Sequence, residues 1–144
     1  MPTHTEQCLI NHTPEQMFDL VAAVDLYPEF LPWCNGAYIR YKDSELLLAD
    51  LKVGFGPFTE VFGSRVELYR PDKIEVTYDR GPLKYLSNHW VFLPDERGCT
   101  IDFFVDFEFK SKLMQKAMGL IFHEAVQKMV SAFIKRADDI YATA

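Results

Sequence analysis

Cysteine is scarce in this chain of 144 residues, and no transmembrane-length hydrophobic run is present. The three cysteines, Cys8, Cys34 and Cys99, form no close ligand pair, and their odd number and wide spacing indicate reduced thiols rather than a disulfide framework. No apolar run approaches the roughly 20 residues that cross a bilayer. The first residues lack the basic start and apolar stretch of a signal peptide. These absences predict a cytoplasmic protein that is soluble or at most peripheral to a membrane.

Basic residues are outnumbered, with 15 Lys and Arg against 21 Asp and Glu, for a net charge of −6. The imbalance is uneven, because residues 1–109 carry 9 basic and 18 acidic side chains, whereas residues 110–144 carry 6 and 3. An acidic body disfavours long-range attraction to nucleic acid, so no DNA partner is expected. The basic end is typical of a solvated helix face, although it also suits contact with an acidic surface.

Catalytic and metal-binding motifs are missing as well. The four histidines show neither HExxH nor a Cys/His zinc spacing, and the chain has no GxSxG, GxGxxG or phosphate-binding glycine loop. Asp102, Asp106 and Glu108 share one strand face, but alternation places that face in water, where paired acid–base catalysis is disfavoured. The sequence therefore predicts no catalytic residue, no metal site, no catalytic cofactor and no enzymatic activity.

What the chain has in quantity is apolar and aromatic side chains, at 49% and 15% of residues. From Asn35 to Phe109, apolar and polar residues alternate with period two, and turn-forming residues separate the runs. This pattern predicts about six antiparallel strands, each with one wet and one buried face. The alternation slips near Gly63, which indicates a β-bulge there.

Two helices flank the strand region, and a strand over residues 3–11 precedes the first. Thr13 and Gln16 form a capping-box pattern that starts a short amphipathic helix. Residues 112–141 contain no proline and carry an apolar stripe at the 3.6-residue period, which predicts one long helix. The chain is therefore predicted to be a single α+β domain over residues 1–144, in which a curved antiparallel sheet grips a long C-terminal helix.

The apolar surplus has two interpretations. If sheet and helix close on each other, the inward side chains form an ordinary core; if they stand apart, the same side chains line a pocket. A Met and Phe stripe on a helix is more often core than ligand site, so the pattern leaves both open. The candidate pocket residues are the inward apolar and aromatic ones, namely Phe55, Tyr78, Trp90, Phe103, Phe107, Met114, Met118, Phe122 and Met129.

Four segments resemble a known family. The stretch Tyr27–Cys34 (YPEFLPWC) resembles the signature of the coenzyme Q-binding proteins of the START-like superfamily, which is also called the polyketide cyclase/dehydrase or helix-grip superfamily. Leu51–Phe55, the run from Ser64 to Phe92, and Val105–Ser111 with the helix after it are similar to later parts of that family. The resemblance covers nearly the whole chain, and its first motif is the most specific.

The resemblance implies a helix-grip fold and a non-enzymatic role. Members of that family bind ubiquinone or a related isoprenoid lipid in an apolar tunnel, and they support respiratory electron transport and quinone biosynthesis as chaperones. By this resemblance we expect ubiquinone as bound ligand and partner, with Trp33 among the tunnel residues. Tyr41, Tyr78 and Asn88 are inward by alternation, and we expect them to offer hydrogen bonds to the polar headgroup.

The mouth of such a tunnel is expected at two aromatic segments. Phe30 and Leu31 lie between two prolines, and Phe58 lies on the loop after Gly54. Exposed at a rim, these side chains would contact the inner membrane surface and collect the lipid there. The alternative is that the first segment caps the core. Lysines near the C-terminus, among them Lys112, would add attraction to anionic lipid.

Two other functions come from the same superfamily. Close bacterial relatives are described as ribosome association toxins that bind the large ribosomal subunit, and this is the first alternative. A ribosomal RNA binder is expected to show a basic stripe with interleaved aromatics, and the body of this chain is acidic. The second alternative is an aromatase/cyclase, which needs an acid–base group deep in the pocket that the sequence does not clearly supply.

Overall fold

The computed structural model describes residues 3–55 and 58–141, apart from the side chains of Phe55 and Phe58. Its strands form one sheet of seven, in the order β1-β7-β6-β5-β4-β3-β2, and every neighbouring pair is antiparallel. The strands are β1 (Thr3–Ile10), β2 (Cys34–Lys42), β3 (Leu46–Phe55), β4 (Phe58–Tyr69), β5 (Lys73–Arg80), β6 (Leu83–Asp95) and β7 (Gly98–Phe109). Six of these strands, β2 to β7, follow the first helices, which is the number that the alternation predicts.

The first helix, α1 (Pro14–Ala22), begins at the capping box that the sequence predicts. Thr13 Oγ1 accepts a hydrogen bond from the Gln16 backbone N–H at 3.1 Å, and Gln16 Oε1 accepts one from the Thr13 N–H at 3.0 Å. These bonds satisfy N–H groups that a helix start leaves without partners. A 3-10 helix, Val24–Glu29, follows directly and leads the chain to the edge strand β2.

A bulge is present beside Gly63, as predicted, but it belongs to β5 and not to β4. Gly63 pairs with Arg80 and Ser64 with Tyr78, which leaves Asp79 of β5 as the extra residue, and β4 pairs with β3 without a shift. β2 carries two further shifts against β3, one between Cys34 and Gly36 and one between Ile39 and Tyr41. Bulges increase local twist and bend the strand that carries them. These shifts therefore add twist and bending to the sheet where they occur.

The β6–β7 hairpin requires glycine at its tip. Gly98 has a φ of +148°, and a Cβ there would come within 2.5 Å of the Ile10 carbonyl oxygen and 2.6 Å of His12 N. A side chain would therefore clash with the backbone that leaves β1, as well as strain the turn. The hairpin fixes β7 between β1 and β6, at the position from which it faces the long helix.

The second helix, α2 (Lys112–Ile140), lies across the concave side of the sheet. Its buried side chains recur every three or four residues and form one stripe, which is what directs the helix onto the sheet: Met114, Met118, Phe122, Val126, Val130, Phe133 and Ala137. The predicted α+β architecture of a sheet gripping a long C-terminal helix is confirmed.

Polar contacts tie α2 to the elements around it. His123 Nδ1 lies 3.1 Å from His4 Nδ1 on β1, and His12 Nε2 lies 2.7 Å from an oxygen of Asp138. Arg136 donates to Glu29 at 2.7 Å, at the end of the 3-10 helix. The helix is therefore held at its middle and at its C-terminal end, on both sides.

Candidate functional site: an apolar cavity

The sheet and α2 do not close completely on each other but enclose a cavity of about 480 Å³. Strands β3 to β7 form one wall and the middle of α2 forms the other. The 3-10 helix and the segment from Leu31 to Cys34 cover one end. Small-molecule sites in proteins are concave, mostly apolar spaces of about 300–1,000 Å³, and this cavity lies within that range.

One part of the cavity wall is aromatic. The Trp90 ring lies edge to face against Phe103 and Phe133, with ring centroids 4.7 and 5.0 Å apart. Phe133 in turn meets the rings of Tyr27 and Phe30, each at 5.2 Å. Edge-to-face aromatic pairs prefer such distances, so this cluster is a rigid wall that joins β6, β7, α2 and the 3-10 helix.

The mouth of the cavity is marked by the lining residues that are also exposed. Pro32 stands on one side, and Ile121, Glu124 and Lys128 of α2 stand on the other. Lys128 Nζ lies 3.1 Å from Glu124 Oε1, and both side chains are largely in solvent. The charged groups of the lining are thus at the entrance, and the interior is left to apolar side chains.

The polar groups deeper in the cavity are mostly occupied. Asn88 accepts a hydrogen bond from Trp90 Nε1 at 3.1 Å and donates one to the Phe104 carbonyl at 2.8 Å, while the Tyr27 hydroxyl donates to the Val21 carbonyl. Ser64 is fully buried, and its hydroxyl makes a long hydrogen bond of 3.5 Å to the Ala49 carbonyl. Ser64 is therefore the described lining group best able to turn a donor toward a ligand.

Burial also decides the chemistry of the ionisable groups near the closed end. Burial raises the pKa of the Cys34 thiol, and a backbone hydrogen bond with Gly36 opposes this rise only in part. The Tyr27 pKa is raised by burial first and by the neighbouring Cys34 second. Both groups stay protonated near neutral pH, so neither is an activated nucleophile. Among residues 3–55 and 58–141, no group of three or more His, Cys, Asp or Glu is arranged to hold a metal ion.

Eight of the predicted tunnel residues line the cavity. They come from the segment before β2, from β6 and β7, and from α2: Trp33, Asn88, Trp90, Phe103, Phe107, Met118, Phe122 and Met129. Alternation along the strands and the helical period were sufficient to place seven of them, whereas Trp33 was expected from the family resemblance. Their role in binding a ligand remains a prediction.

Tyr41 was expected in the tunnel, and this is wrong. Its side chain is 48% exposed, and its hydroxyl donates to Asp43 at 2.6 Å outside the cavity. The register shift between Ile39 and Tyr41 is the physical reason, because one extra residue in a strand moves the following side chains to the other face.

Two more predicted residues lie in the fold without lining the cavity. The Tyr78 hydroxyl accepts a hydrogen bond from the Leu83 N–H at 3.1 Å, so it closes the β5–β6 turn instead of facing a headgroup. Met114 is buried in the first turn of α2, which is anchored to the end of β7 by the Phe109 N–H donating to Gln115 Oε1 at 2.8 Å. That turn lies past the end of the cavity, and Met114 is core.

The predicted rim at Phe30 and Leu31 is also corrected. Leu31 is only 7% exposed and lines the cavity, so it is not available to a membrane. Phe30 packs against Phe133 and under the Arg136 guanidinium, 5.2 Å from the ring centroid. The segment therefore covers the core, as the alternative had it. The side chains of Phe55 and Phe58, a predicted tunnel residue and a predicted rim residue, lie outside the described part of the structure.

Several lining residues were not singled out from the sequence. On β4, Phe62, Ser64 and Val66 face the cavity at every second position, and the break in alternation inferred at Gly63 hid this common side. Ile121 belongs to the apolar stripe predicted for α2 and also lines the mouth, whereas Lys128 lies beside that stripe. The helical period alone carried no signal that the lining extends to Lys128.

Comparison with known sequences gives the class of the protein. The profile of the family described as polyketide cyclase / dehydrase and lipid transport matches residues 10–134. The chain belongs to this family, and the resemblance to START-like coenzyme Q-binding proteins is confirmed.

Relatives of similar identity carry different names. The "Ribosome association toxin RatA" of Vibrio cholerae is 35% identical over 138 residues, which is 95% of this chain and 96% of the relative. The "Coenzyme Q-binding protein COQ10 homolog B, mitochondrial" of Xenopus laevis is 36% identical over 143 residues, which is 96% of this chain and 59% of the relative.

Solved structures agree with the fold. The 18 kDa protein CC1736 from Caulobacter crescentus is 31% identical, with a TM-score of 0.78 over 99% of this chain and all of that chain. The Zhui aromatase/cyclase of Streptomyces sp. R1128 has a TM-score of 0.80 over 95% of this chain and 92% of that chain, at 14% identity, which shows the fold alone. Within the described residues, no helix is long and apolar enough to span a bilayer.

Proposed function

We propose that this protein binds ubiquinone or a related isoprenoid lipid in the cavity between the sheet and α2. It acts as a quinone chaperone for respiratory electron transport and quinone biosynthesis, and it catalyses no reaction. The observation that carries the proposal is the cavity of about 480 Å³, with an almost wholly apolar interior. A relative of 36% identity with the name of a coenzyme Q-binding protein supports the choice of ligand.

The lining suits an isoprenoid chain because burial of apolar surface contributes about 25 cal/mol per Å². Met118 and Met129 extend from α2 into the space, and unbranched thioether side chains adapt to ligands of irregular shape. The aromatic cluster around Trp90 lines the same cavity. Adaptable thioether side chains together with rigid rings accept isoprene units without a fixed register.

The volume limits how much of a ligand is enclosed. Sites of about 300–1,000 Å³ hold molecules of drug size, so a long polyprenyl tail does not fit completely. The remainder of a long tail passes out between Pro32 and Ile121, where the cavity is open. The headgroup is then deep, where the Ser64 hydroxyl is the available donor for a quinone carbonyl.

An aromatase/cyclase role is not proposed. Such a reaction needs an acid–base group beside the bound substrate. The charged side chains of the described lining, Glu124 and Lys128, are paired with each other at the solvent-exposed mouth. Asn88 and Tyr27 are already engaged in hydrogen bonds within the fold.

The proposal is tested by organic extraction of protein purified from its native host, followed by mass spectrometry of the extract. Ubiquinone in stoichiometric amount is the expected result. A second measurement uses the two tryptophans, Trp33 and Trp90, which both line the cavity. Titration with short-chain ubiquinone should quench their fluorescence with saturation at one quinone per protein. An empty extract, together with no quenching, would refute quinone binding.

A variant in which a large side chain fills the cavity tests where the ligand binds. Ala125 lines the cavity from α2, and Ala125→Trp places an indole in the space that the ligand would occupy. This variant should keep its circular dichroism spectrum and lose quinone from the extract. The control is Leu93→Trp, which adds the same ring on the exposed face of β6. Equal quinone content in both variants would place the ligand outside this cavity.

Ribosome association is the second candidate, and the names of relatives favour it. The relatives called RatA are aligned over nearly their whole length, as this chain is. The lysines of α2 give this function its candidate contact, since ribosomal RNA is strongly anionic. The test is sedimentation with purified large ribosomal subunits at two salt concentrations. Binding that is lost when Lys116 and Lys128 are changed to Glu would support this function, and no binding of the parent protein to the large subunit would exclude it.

A further inference from the structure

The N-terminal half of α2 exposes large apolar side chains on the side that faces away from the sheet. Leu120 is 84% exposed, Leu113 is 68% exposed and Ile121 is 40% exposed. Ala117 lies between them on the same side of the helix. Positions 113, 117, 120 and 121 follow the i, i+4, i+7, i+8 spacing of a single helix face. We call these four residues the outer face of α2.

This half of the helix is thus apolar on two opposite sides. Met114, Met118 and Phe122 are buried against the sheet, whereas Leu113 and Leu120 point into solvent. A helix that is apolar all round is ordinarily enclosed on both sides by protein or lipid. Leu113 and Ile121 are about 12 Å apart along the axis, at about 1.5 Å per residue. The outer face is therefore a continuous apolar strip that the fold leaves uncovered.

Positive charge surrounds this strip. Residues 110–128 contain four lysines and one glutamate, in a chain whose net charge is −6. Lys116 lies beside Leu113 and Leu120 on the helical wheel, and Lys128 lies about two turns beyond Leu120. Basic residues flanking leucines on one exposed helix face are the pattern of helices that lie in the interface of an anionic bilayer.

The strip is also continuous with the mouth of the cavity. Ile121 belongs to both, because it is partly exposed on the outer face and also lines the cavity. Lys128 lines the mouth as well, and its ion pair with Glu124 lies at the edge of the strip. A surface that the outer face rests upon would therefore lie directly beside the cavity entrance.

We infer that the outer face of α2 docks the protein on the surface of an anionic lipid bilayer, with the cavity mouth turned toward the membrane. Leu113, Leu120 and Ile121 enter the boundary between headgroups and acyl chains, and the lysines contact lipid phosphate. This inference extends the proposed function, because an isoprenoid lipid is taken from a membrane. The docking itself requires no bound quinone.

Charge decides between a bilayer and a second copy of the chain as occupant. Two outer faces packed against each other would bring two sets of lysines together, which is unfavourable. The remainder of the chain is acidic and is repelled by an anionic surface, so the basic end turns α2 toward the bilayer. The same field orients the protein before the leucines insert.

The test is flotation of quinone-free protein with vesicles. Vesicles of phosphatidylcholine alone are compared with vesicles that also contain phosphatidylglycerol, at about 0.1 M salt, where charges interact over about 10 Å. The protein should float with the anionic vesicles and much less with the neutral ones. Raising the salt should reduce the bound fraction.

Variants separate this surface from others. Leu120→Glu should lower the bound fraction at least tenfold, and Lys116→Glu should lower it several-fold. The matched controls are Leu93→Glu, on an exposed leucine of β6, and Lys42→Glu, on the edge strand β2. Both controls should float like the parent protein. Because Leu120 is in solvent, its replacement leaves the core intact, and circular dichroism checks this.

Each outcome has a separate meaning. Absence of flotation with anionic vesicles overturns the inference, and so does flotation that Leu120→Glu leaves unchanged. Loss of ribosomal-subunit binding in the lysine variant, with no flotation of the parent, would assign the same lysines to RNA instead. Quinone extraction is measured on Leu120→Glu in parallel. Quinone retained without flotation supports both proposals, whereas flotation of a protein that never binds quinone refutes the proposed function alone.

Discussion

The indole ring of Trp90 on β6 meets the ring of Phe133 on α2 edge to face, with centroids 5.0 Å apart and ring planes at 69°. Both side chains are almost completely buried, and both line the cavity. This pair joins the centre of the sheet to the C-terminal half of the long helix. The helix is thus held against the sheet at Phe133, which lies after the residues of α2 that border the mouth.

Phe133→Ala should therefore strongly destabilise the fold. Truncation of a buried Phe costs about 3–5 kcal/mol, and here it also removes the ring contacts with Trp90 and Tyr27. The measurement is urea unfolding followed by far-ultraviolet circular dichroism. Ile140→Ala, at the exposed end of the same helix, is the control and should change stability by less than about 0.5 kcal/mol. Equal effects would contradict the pair's role.

Ser64→Ala should weaken quinone binding by about three- to tenfold, the value of one neutral hydrogen bond. The hydroxyl is buried in the lining and holds only a long bond to Ala49, so it is free to turn toward a quinone carbonyl. Fluorescence titration of the variant with short-chain ubiquinone measures the change. An isoprenoid hydrocarbon without a headgroup should bind parent and variant equally. A parallel loss for both ligands would indicate a packing effect instead.

Gly119→Ala should stabilise the protein by about 0.5–1 kcal/mol. Glycine in a helix interior loses that amount relative to alanine, and a Cβ built on Gly119 meets no atom within 4 Å. Thermal unfolding checks the prediction through a rise in Tm. Gly98→Ala serves as the opposite control and should destabilise, because its Cβ would clash with the backbone of Ile10 and His12.

The thiols of Cys8 and Cys99 should react slowly while the protein is folded. Burial raises the pKa of each from 9.0 to about 11, with the Glu6 carboxylate adding to the effect at Cys8 and Asp95 at Cys99. The thiolate fraction near neutral pH then falls by about two orders of magnitude. Labelling with a thiol reagent, followed by mass spectrometry, should show rapid modification only after unfolding.

The same shifts give a pH dependence of stability. A thiol whose pKa is raised in the folded state favours folding fully below the unfolded pKa of 9.0, and this contribution is lost as pH rises from there to about 11. The free energy of unfolding should therefore fall across that window. In a variant that carries both Cys8→Ser and Cys99→Ala, the free energy of unfolding should fall less steeply over the same pH range. An identical slope would assign the alkaline loss to other groups.

Local patterns could be predicted from the sequence because their physics is local. The capping box at Thr13 and Gln16 satisfies backbone groups within four residues, so its signal is contained in those residues. Period-two alternation placed Trp90 and Phe103 on the inner face for the same reason, since neighbouring side chains on a strand point to opposite sides. The long helix over 112–141 agreed with the structure within one residue.

What depends on pairing between distant segments could not be predicted. Tyr41 lies outside the cavity because β2 shifts register against β3, and the sequence of β2 alone does not indicate that shift. Whether Leu31 covers the core or forms a rim depends on where the 3-10 helix lies against α2. Met114 and Met118 belong to the same apolar stripe, but Met114 is core and Met118 lines the cavity. This difference depends on the position of the helix along the sheet.

By itself, the sequence determined the elements, their inward faces and the apolar character of the space between sheet and helix. It did so because side-chain periodicity and capping act over a few residues. Only the tertiary structure decided that sheet and helix stand apart, leaving a cavity of about 480 Å³ instead of a closed core. The separation between sheet and helix is set by the curvature of the seven paired strands and by side-chain contacts of α2 with other elements, such as His123 with His4. Both are sums of long-range contacts, which no single segment encodes.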